Sequence, residues 1–271
     1  MGQGFSFASV ILSYFLVGGG MFSATLVASQ LHISGELALY GVLAIGAFVG
    51  GFVAARASPG ETILEPAIGA VAVIATIVGL AAATTLGAQL WASAHDETVK
   101  FVGAVGLSSV VGAVLGAFLA ERLLGEATRS SVPWLLYTAF SVFGACLVAT
   151  LLSSIFLIQK HGAEATDTQS GVVMIVGLAI GCLVAGFAVG ASARVRPLLA
   201  ALFGGGIGVA GYVTLVIRVT SSMSTDAAAG VAVMACIGAI VTLLGTALGW
   251  SMVGRKNVAG PNPSQLAKQF Q

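Results

Sequence analysis

Charged side chains are scarce in this chain. Only 8% of its 271 residues are Asp, Glu, Lys or Arg, and the net charge is +1. A protein that binds nucleic acid needs a dense basic surface, so this composition excludes a nucleic-acid partner. Three cysteines without close spacing exclude a disulfide framework and a zinc knuckle. We expect Cys146, Cys182 and Cys236 to be small buried packing residues, because all three fall inside apolar segments.

The chain also lacks the motifs that carry catalysis. It contains no G-x-S-x-G, H-E-x-x-H or P-loop pattern, and no nucleophile has a base nearby in the sequence. His32, His95 and His161 fall in three separate predicted connections, which is not the spacing of a zinc site. We therefore predict that the protein is not an enzyme and that it has neither a cofactor nor a metal.

Long apolar runs are what the chain does have. Hydrophobic residues make up 58% of it, and the mean hydropathy is +1.04. About 20 apolar residues in a helix cross the roughly 30 Å of bilayer hydrocarbon, and runs of this length favour helices over the alternating strands of a barrel. The sequence predicts an all-α, polytopic transmembrane helix bundle. Its eight spans are placed near 5–30, 36–56, 65–92, 99–121, 132–158, 170–193, 197–219 and 227–253.

Lysine and arginine are distributed unequally between the two sides of these spans. One side receives Arg56, Arg122, Arg129, Arg194, Arg196, Arg255, Lys256 and Lys268, and the other receives Lys100, Lys160 and Arg218. Because cytoplasmic loops carry the excess of positive charge, both termini are predicted to be cytoplasmic. The Ala, Gly, Val and Arg bias is typical of a multi-pass protein of a bacterial inner membrane.

The spans fall into two matching sets of four. Gly51, Phe52 and Gly69 recur 135 positions later as Gly186, Phe187 and Gly204. The segment 24–29 resembles 149–154 at an offset of 125, and 112–116 resembles 245–249 at an offset of 133. The predicted units are a first repeat at 1–128, a second repeat at 129–254 and a flexible cytoplasmic tail at 255–271. Since each repeat has an even number of spans, the two should be parallel, with a central site at their interface.

Glycines mark the predicted helix contacts. Five pairs have the small-xxx-small spacing that lets two helix backbones approach: Gly46/Gly50, Gly112/Gly116, Gly186/Gly190, Gly204/Gly208 and Gly245/Gly249. We expect these pairs to pack inside the bundle; the alternative is a seam for an oligomer or a partner subunit. A third interpretation is a glycine-lined pathway. Its candidate residues are Gly18, Gly19, Gly20, Gly51, Gly186, Gly204, Gly205 and Gly206.

No charged residue falls near the middle of a predicted span, which argues against a proton- or sodium-coupled pump. The nearest charges are Arg56 at the end of span two and Glu65 before Pro66 at the start of span three. Helix capping and interface anchoring explain this pair. The sharper hypothesis is a cytoplasmic gate, which would be asymmetric because the second repeat has Ala200 where the first has Glu65.

Two classes of function follow. The first is a transporter- or channel-like protein for a small neutral or weakly polar solute, which passes through the interface of the halves. On this hypothesis Gly51→Leu or Gly186→Leu blocks flux without preventing insertion. The second is a non-catalytic membrane scaffold subunit of a larger complex, with a filled centre and an exposed glycine face. The predicted partners are the lipid bilayer and either further copies of the chain or other membrane subunits.

Overall fold

The computed structural model describes residues 7–33, 35–57, 63–84, 95–124, 134–161, 167–193, 197–220 and 225–254. These residues form eight α-helices, and the last one continues into a π-helical turn at Trp250–Gly254. The helices are α1 (Phe7–Gln30), α2 (Glu36–Ala57), α3 (Leu64–Ala83), α4 (His95–Leu124), α5 (Trp134–His161), α6 (Asp167–Ser192), α7 (Leu198–Thr220) and α8 (Thr225–Gly249). The predicted tail at 255–271 lies outside the described residues.

The all-helical prediction is confirmed for the described part of the chain, which contains no strand. Seven helices are long and apolar enough to cross a membrane. The exception is α3, whose apolar segment Leu64–Gly79 is shorter than a full span. Residues 85–92, the predicted end of this span, are outside the described residues. The apolar helices are compatible with an integral, multi-pass membrane protein.

The start of α4 corrects one prediction. The sequence places His95, Asp96 and Glu97 in a connection, but they form the first turn of the helix. A helix N-terminus carries a partial positive charge, so acidic side chains stabilise it. The apolar run alone therefore underestimates the length of this helix.

Each set of four helices packs in the same order. In the first half, α1 and α4 each contact both α2 and α3. In the second half, α5 and α8 each contact both α6 and α7. Between the halves, α1 contacts α5 and α6, and α2 contacts α5.

Glycine makes the close helix contacts within each half. A methyl group at Gly51 would overlap the backbone of Ala113 on α4, and one at Gly186 would overlap the backbone of Thr242 on α8. All five small-xxx-small pairs lie in such contacts between helices of one half, so the prediction of internal packing is confirmed. The absent side chains allow backbone approach, which stabilises helix pairs in lipid.

The contacts also give the register of the two halves. A methyl group on Gly69 would lie 2.8 Å from the Cβ of Ser13, and one on Gly204 would lie 2.8 Å from the Cβ of Thr138. These pairs have the offsets of 135 and 125 seen in the sequence. For α4 and α8 the register differs by one helical turn, because Gly116 packs on Phe48 whereas Gly245 packs on Leu183. By its contacts Gly116 corresponds to Gly245, although the sequence comparison aligns it with Gly249.

Buried residues concentrate toward the end of the bundle at which α2 and α4 reach Arg56 and Arg122, called here the arginine end. In α2 they run from Gly46 to Ala57, the half of the helix nearest this end. In α6 they likewise run from Gly181 to the end of the helix at Ser192. The helices are therefore tightly packed at the arginine end and less so at the far end.

Candidate functional site

The interface between the halves is centred on two glycines. Gly19 on α1 and Gly144 on α5 face each other, and a methyl group placed on either one would lie 3.0 Å from the Cα of the other. Phe15 and Phe140 flank this crossing, and each contributes a backbone carbonyl beside the glycine of the other helix. Both pairs are 125 positions apart. The crossing therefore places equivalent residues of the two halves against each other.

Apolar side chains fill the interface between the crossing and the arginine end. One buried cluster joins residues of α1, α2, α5 and α6, with Trp134 packed against it. Its buried members are Leu12, Leu16, Ala54, Ala57, Tyr137, Ala188 and Val189. Side chains at this density exclude water, so the interface is closed at this end.

Two charged residues lie buried at the same end. Arg56 and Glu65 are each only 4% exposed, and each takes part in a polar or electrostatic interaction. Arg56 is in the last turn of α2 and Glu65 in the first turn of α3, where each charge is favourable to its helix dipole. The gate interpretation of this pair stays a prediction. A residue that only anchors a helix end at the membrane surface keeps its charge in water. The burial of Arg56 and Glu65 is therefore more than anchoring requires, because removing a charge from water is costly unless other groups stabilise it.

Tyr137 connects this charged layer to the second half. Its hydroxyl lies close enough to the Arg56 guanidinium for an electrostatic interaction across the interface. The side chain of Tyr137 is 1% exposed and also stacks edge-on against Trp134, with 5.3 Å between the ring centroids. Nothing in the sequence singles out Tyr137, because the equivalent position in the first half is Leu12.

Beyond the crossing, the interface opens into two cavities of about 340 Å³ each. The first cavity lies between α1 and α2, and the exposed side chain of Phe140 on α5 also lines it. Its lining residues are Gly20, Ser23, Ala24, Val27, Ala28, Ile33, Val42, Ile45, Gly46, Val49 and Phe140. The second cavity lies between α5 and α6, and Phe15 of α1 also lines it. Its lining residues are Tyr14, Phe15, Ala145, Val148, Ala149, Leu152, Ser153, Gly177, Ile180, Gly181 and Val184.

The two cavities are built from equivalent residues. Each residue of α1 that lines the first cavity has a counterpart in the second cavity 125 positions later; Ala24, for example, corresponds to Ala149. Every α2 residue has its counterpart 135 positions later, as Ile45 does in Ile180. Phe140 and Phe15, which each line a cavity of the opposite half, are also equivalent residues. No Asp, Glu, Lys or Arg lines either cavity.

The predicted pathway glycines lie in helix contacts. Gly18 is beside the Val73 side chain of α3, Gly19 is at the crossing, and Gly20 abuts the backbone of Gly46. On α7, Gly204 meets α5, while Gly205 and Gly206 face Thr242 and Ala239 of α8. Gly51 and Gly186 meet α4 and α8, as described above. Among the eight, only Gly20 lines either of the two cavities.

This placement corrects the expected behaviour of two variants. A leucine at Gly51 or Gly186 would overlap the backbone of a neighbouring helix, so the change would disturb helix packing itself. These variants are tests of the fold and not of a pathway.

Two of the three cysteines lie in the buried cluster that contains Phe15. Cys146 and Cys182 are buried as expected, with their Sγ atoms 3.9 Å apart, whereas Cys236 is exposed. The expected burial of Cys236 is wrong because an apolar helix in a membrane also has a lipid-facing surface. Within the described ranges, no three His, Cys, Asp or Glu residues are arranged to hold a metal ion.

No protein-family model, no curated protein and no solved structure matches this chain. The geometry of the interface is therefore the basis for a functional proposal.

Proposed function

We propose that this integral membrane protein moves a small neutral or weakly polar solute through the interface between its two halves, in a transporter- or channel-like manner. One observation carries the proposal. The interface is closed by buried side chains at the arginine end and divides into two open cavities beyond the Gly19–Gly144 crossing. An interface that is closed at one end and less tightly packed beyond the crossing is compatible with alternating access. No catalytic step is part of the proposal.

The crossing is suited to a rocking motion. Gly19 and Gly144 meet through backbone atoms without interlocking side chains. Two helices in such a contact can change their crossing angle with few side-chain rearrangements. Rocking about this point would separate the residues that close the arginine end and bring together the walls of the cavities.

The proposal takes the eight helices as eight spans in two parallel repeats. Although the apolar segment of α3 is short, the whole helix of 20 residues measures about 30 Å. It also runs beside α1 in the same direction, since Gly69 lies at Ser13 and Val73 lies at Gly18. An even number of spans places both termini on one side. The arginine and lysine excess makes that side the cytoplasm, and the composition favours a bacterial inner membrane.

Arg56 and Glu65 are the proposed cytoplasmic gate. Arg56 belongs to the first half but faces Tyr137 of the second. Opening the arginine end would separate these groups, so their interaction would hold the closed state. The second half has Ala191 and Ala200 at the corresponding positions, so the gate exists on one side of the interface only.

A scaffold subunit is the second candidate function. Its support is the filled interface at the arginine end and the exposed glycines Gly41, Gly103 and Gly230, at which an added methyl group would have no neighbouring atom within 4 Å. On this proposal other copies or other membrane subunits cover these positions. The two matched cavities have no role in it, and for this reason the transporter proposal is preferred.

Spin-label distances across the two ends of the interface test the rocking motion. The labels would be attached to cysteines introduced into a cysteine-free variant. One pair replaces Leu31 and Phe156 at the far end, and the other replaces Leu64 and Leu199 at the arginine end. All four side chains are exposed, and each pair joins equivalent positions of the two halves. We expect two distance populations at each end, one for each state of the rocking motion. When the population with the longer distance grows at one end, it should shrink at the other. A single narrow distance at both ends would favour the scaffold.

Solute entry into proteoliposomes tests transport directly. Stopped-flow light scattering would follow a panel of glycerol, urea and small polyols. We expect at least one solute to enter faster than in protein-free vesicles, and Ala24→Phe with Ala149→Phe to remove the excess rate. Ala75→Phe with Ala232→Phe is the matched control, because both alanines are exposed and line neither cavity. Equal rates with and without protein would overturn the transport proposal.

A further inference from the structure

We propose that the two cavities are binding sites for the hydrocarbon chains of membrane lipids, one chain in each cavity. The inference deepens the proposed function, because it identifies what occupies the interface, but it depends only on the membrane placement and not on transport. It assigns one class of ligand to two sites in a single chain.

The walls of both cavities are apolar, so a molecule that stays there is expected to be apolar, whereas a small polar solute would only pass through. The first cavity is lined almost entirely by aliphatic and aromatic carbon, and its one hydroxyl, that of Ser23, donates to the Gly19 carbonyl of its own helix at 2.6 Å. In the second cavity the Ser153 hydroxyl donates to the Val173 carbonyl at 3.4 Å. The serine hydroxyl protons are therefore used inside the protein. A polar solute resting there would lose its hydrogen bonds with water, whereas a hydrocarbon chain loses none.

The mouths of the cavities identify the bilayer as the source of the occupant. Val27, Ile45 and Val49 at the rim of the first cavity are all exposed, as is Leu152 at the rim of the second. They continue the exposed apolar surface of the helices, which faces lipid in a membrane-spanning bundle. Lipid chains are therefore the molecules that lie at each mouth. A volume of about 340 Å³ is at the lower end of the range for small-molecule sites.

One phenylalanine in each cavity connects chain binding to the interface. Phe140 of the second half lines the first cavity, and Phe15 of the first half lines the second. A chain in either cavity therefore touches both halves. It would fill the space that the halves leave open beyond the crossing, and its departure would be needed before the cavity walls could come together.

Photolabelling would test the proposal on the full-length protein in liposomes. The probe is a phosphatidylcholine with a diazirine near the middle of one acyl chain, and labelled residues are identified by mass spectrometry. We expect labelling of residues lining both cavities to exceed labelling around exposed Ala75 several-fold. Ala24→Phe should lower labelling in the first cavity at least threefold and leave the second unchanged. Ala149→Phe should do the reverse, and Ala75→Phe should change neither.

Labelling that follows exposure alone, or that is unchanged by the filled cavities, would overturn the proposal. If Ala149→Phe does not fold, Val27→Trp and Leu152→Trp at the two mouths provide an equivalent pair. Disulfide cross-links between two chains that each carry a cysteine in place of Val27 or Leu152, without lipid adducts in the cavities, would show a second copy as the occupant and would also overturn the proposal. Lipid labelling together with a single spin-label distance would support these sites and contradict the transport proposal, so the two can fail separately.

Discussion

The two halves of the bundle have the same packing but different chemistry at equivalent positions. Helices contact each other in the same order, and three glycine contacts match between the halves: Gly51 with Gly186, Gly69 with Gly204, and Gly116 with Gly245. The first half, however, has Arg56 and Glu65 where the second has Ala191 and Ala200. The second half has Tyr137 where the first has Leu12. Close helix packing in lipid requires small residues at the contact positions of both halves. The polar residues at the interface serve both halves together, so one copy is sufficient.

The asymmetry is confined to particular regions. The cavities beyond the crossing are lined by equivalent residues in both halves, and neither contains a charge. The charged layer lies at the arginine end, where Arg56 reaches across to the second half. The two halves thus have equivalent residues around the cavities and different residues at the arginine end.

Breaking the shared packing should have the largest effect. Gly51→Leu and Gly186→Leu each place a side chain inside the backbone of a neighbouring helix, so we expect about 3 kcal/mol of destabilisation or failure to fold. Because the two contacts are equivalent, the losses should be similar. Unfolding in sodium dodecyl sulfate, followed by circular dichroism, would measure them.

Gly103→Leu and Gly230→Leu are the controls for this prediction. Both glycines are exposed within helices, and a methyl group added to either would have no neighbouring atom within 4 Å. Replacing them should leave stability unchanged or raise it by up to about 1 kcal/mol through better helix propensity. A small cost at Gly51 and a large one at Gly186 would show that the halves do not pack equivalently.

Much of this packing is predictable from the sequence, because apolar length and glycine spacing determine it directly. The offsets of 125 and 135 predict that Gly69 and Gly204 are equivalent, and their contacts with Ser13 and Thr138 agree. For α4 and α8 the sequence comparison is wrong by one turn. A four-residue glycine spacing fits a helix equally well after a shift of four residues, so the motif alone cannot fix the register.

The site is less predictable. Tyr137 and Arg56 lie on helices that are far apart in the sequence, α5 and α2. Neither a motif nor the residues next to Tyr137 in the sequence indicate that the two side chains interact. The cavities arise where helices diverge, and their residues are ordinary apolar ones. The sequence does show that Phe15 and Phe140 are equivalent, since they are 125 positions apart, the offset between α1 and α5. A shared sequence offset does not reveal that a side chain lines a cavity.

Removing the polar asymmetry should have an intermediate effect. Arg56→Met leaves the Tyr137 hydroxyl buried without its cation, and we expect about 2 kcal/mol of destabilisation. Tyr137→Phe should cost less than Arg56→Met, because the buried Tyr137 hydroxyl makes no hydrogen bond to the described residues and only its electrostatic interaction with Arg56 is lost. In a double-mutant cycle the two changes should be coupled by about 1 kcal/mol, since the groups interact directly. Additive losses would mean that Arg56 is stabilised by other groups and that Tyr137 is not part of the closed layer.

The smallest expected effects concern one hydroxyl pair in each half. Tyr14 donates to Thr76 at 3.2 Å between α1 and α3, and Tyr212 is hydrogen-bonded to Thr150 between α7 and α5. The helix pairs are equivalent, but the tyrosine and threonine have exchanged helices. Hydrogen bonds between membrane helices contribute about 0.6 kcal/mol on average, so Tyr14→Phe and Tyr212→Phe should each cost about that amount.

Tyr212→Phe should be the more costly of the two, because Tyr212 is buried whereas Tyr14 is half-buried. Tyr40→Phe is the matched control, since the Tyr40 hydroxyl donates to Glu36 at an exposed position and should contribute nothing measurable. Equal costs for all three would show that these hydroxyls exchange protein partners for water during unfolding, with no contribution from the bundle interior. A larger cost at Tyr14 would show that α1 and α3 are held more firmly than α5 and α7. The first half would then be the more rigid partner at the interface.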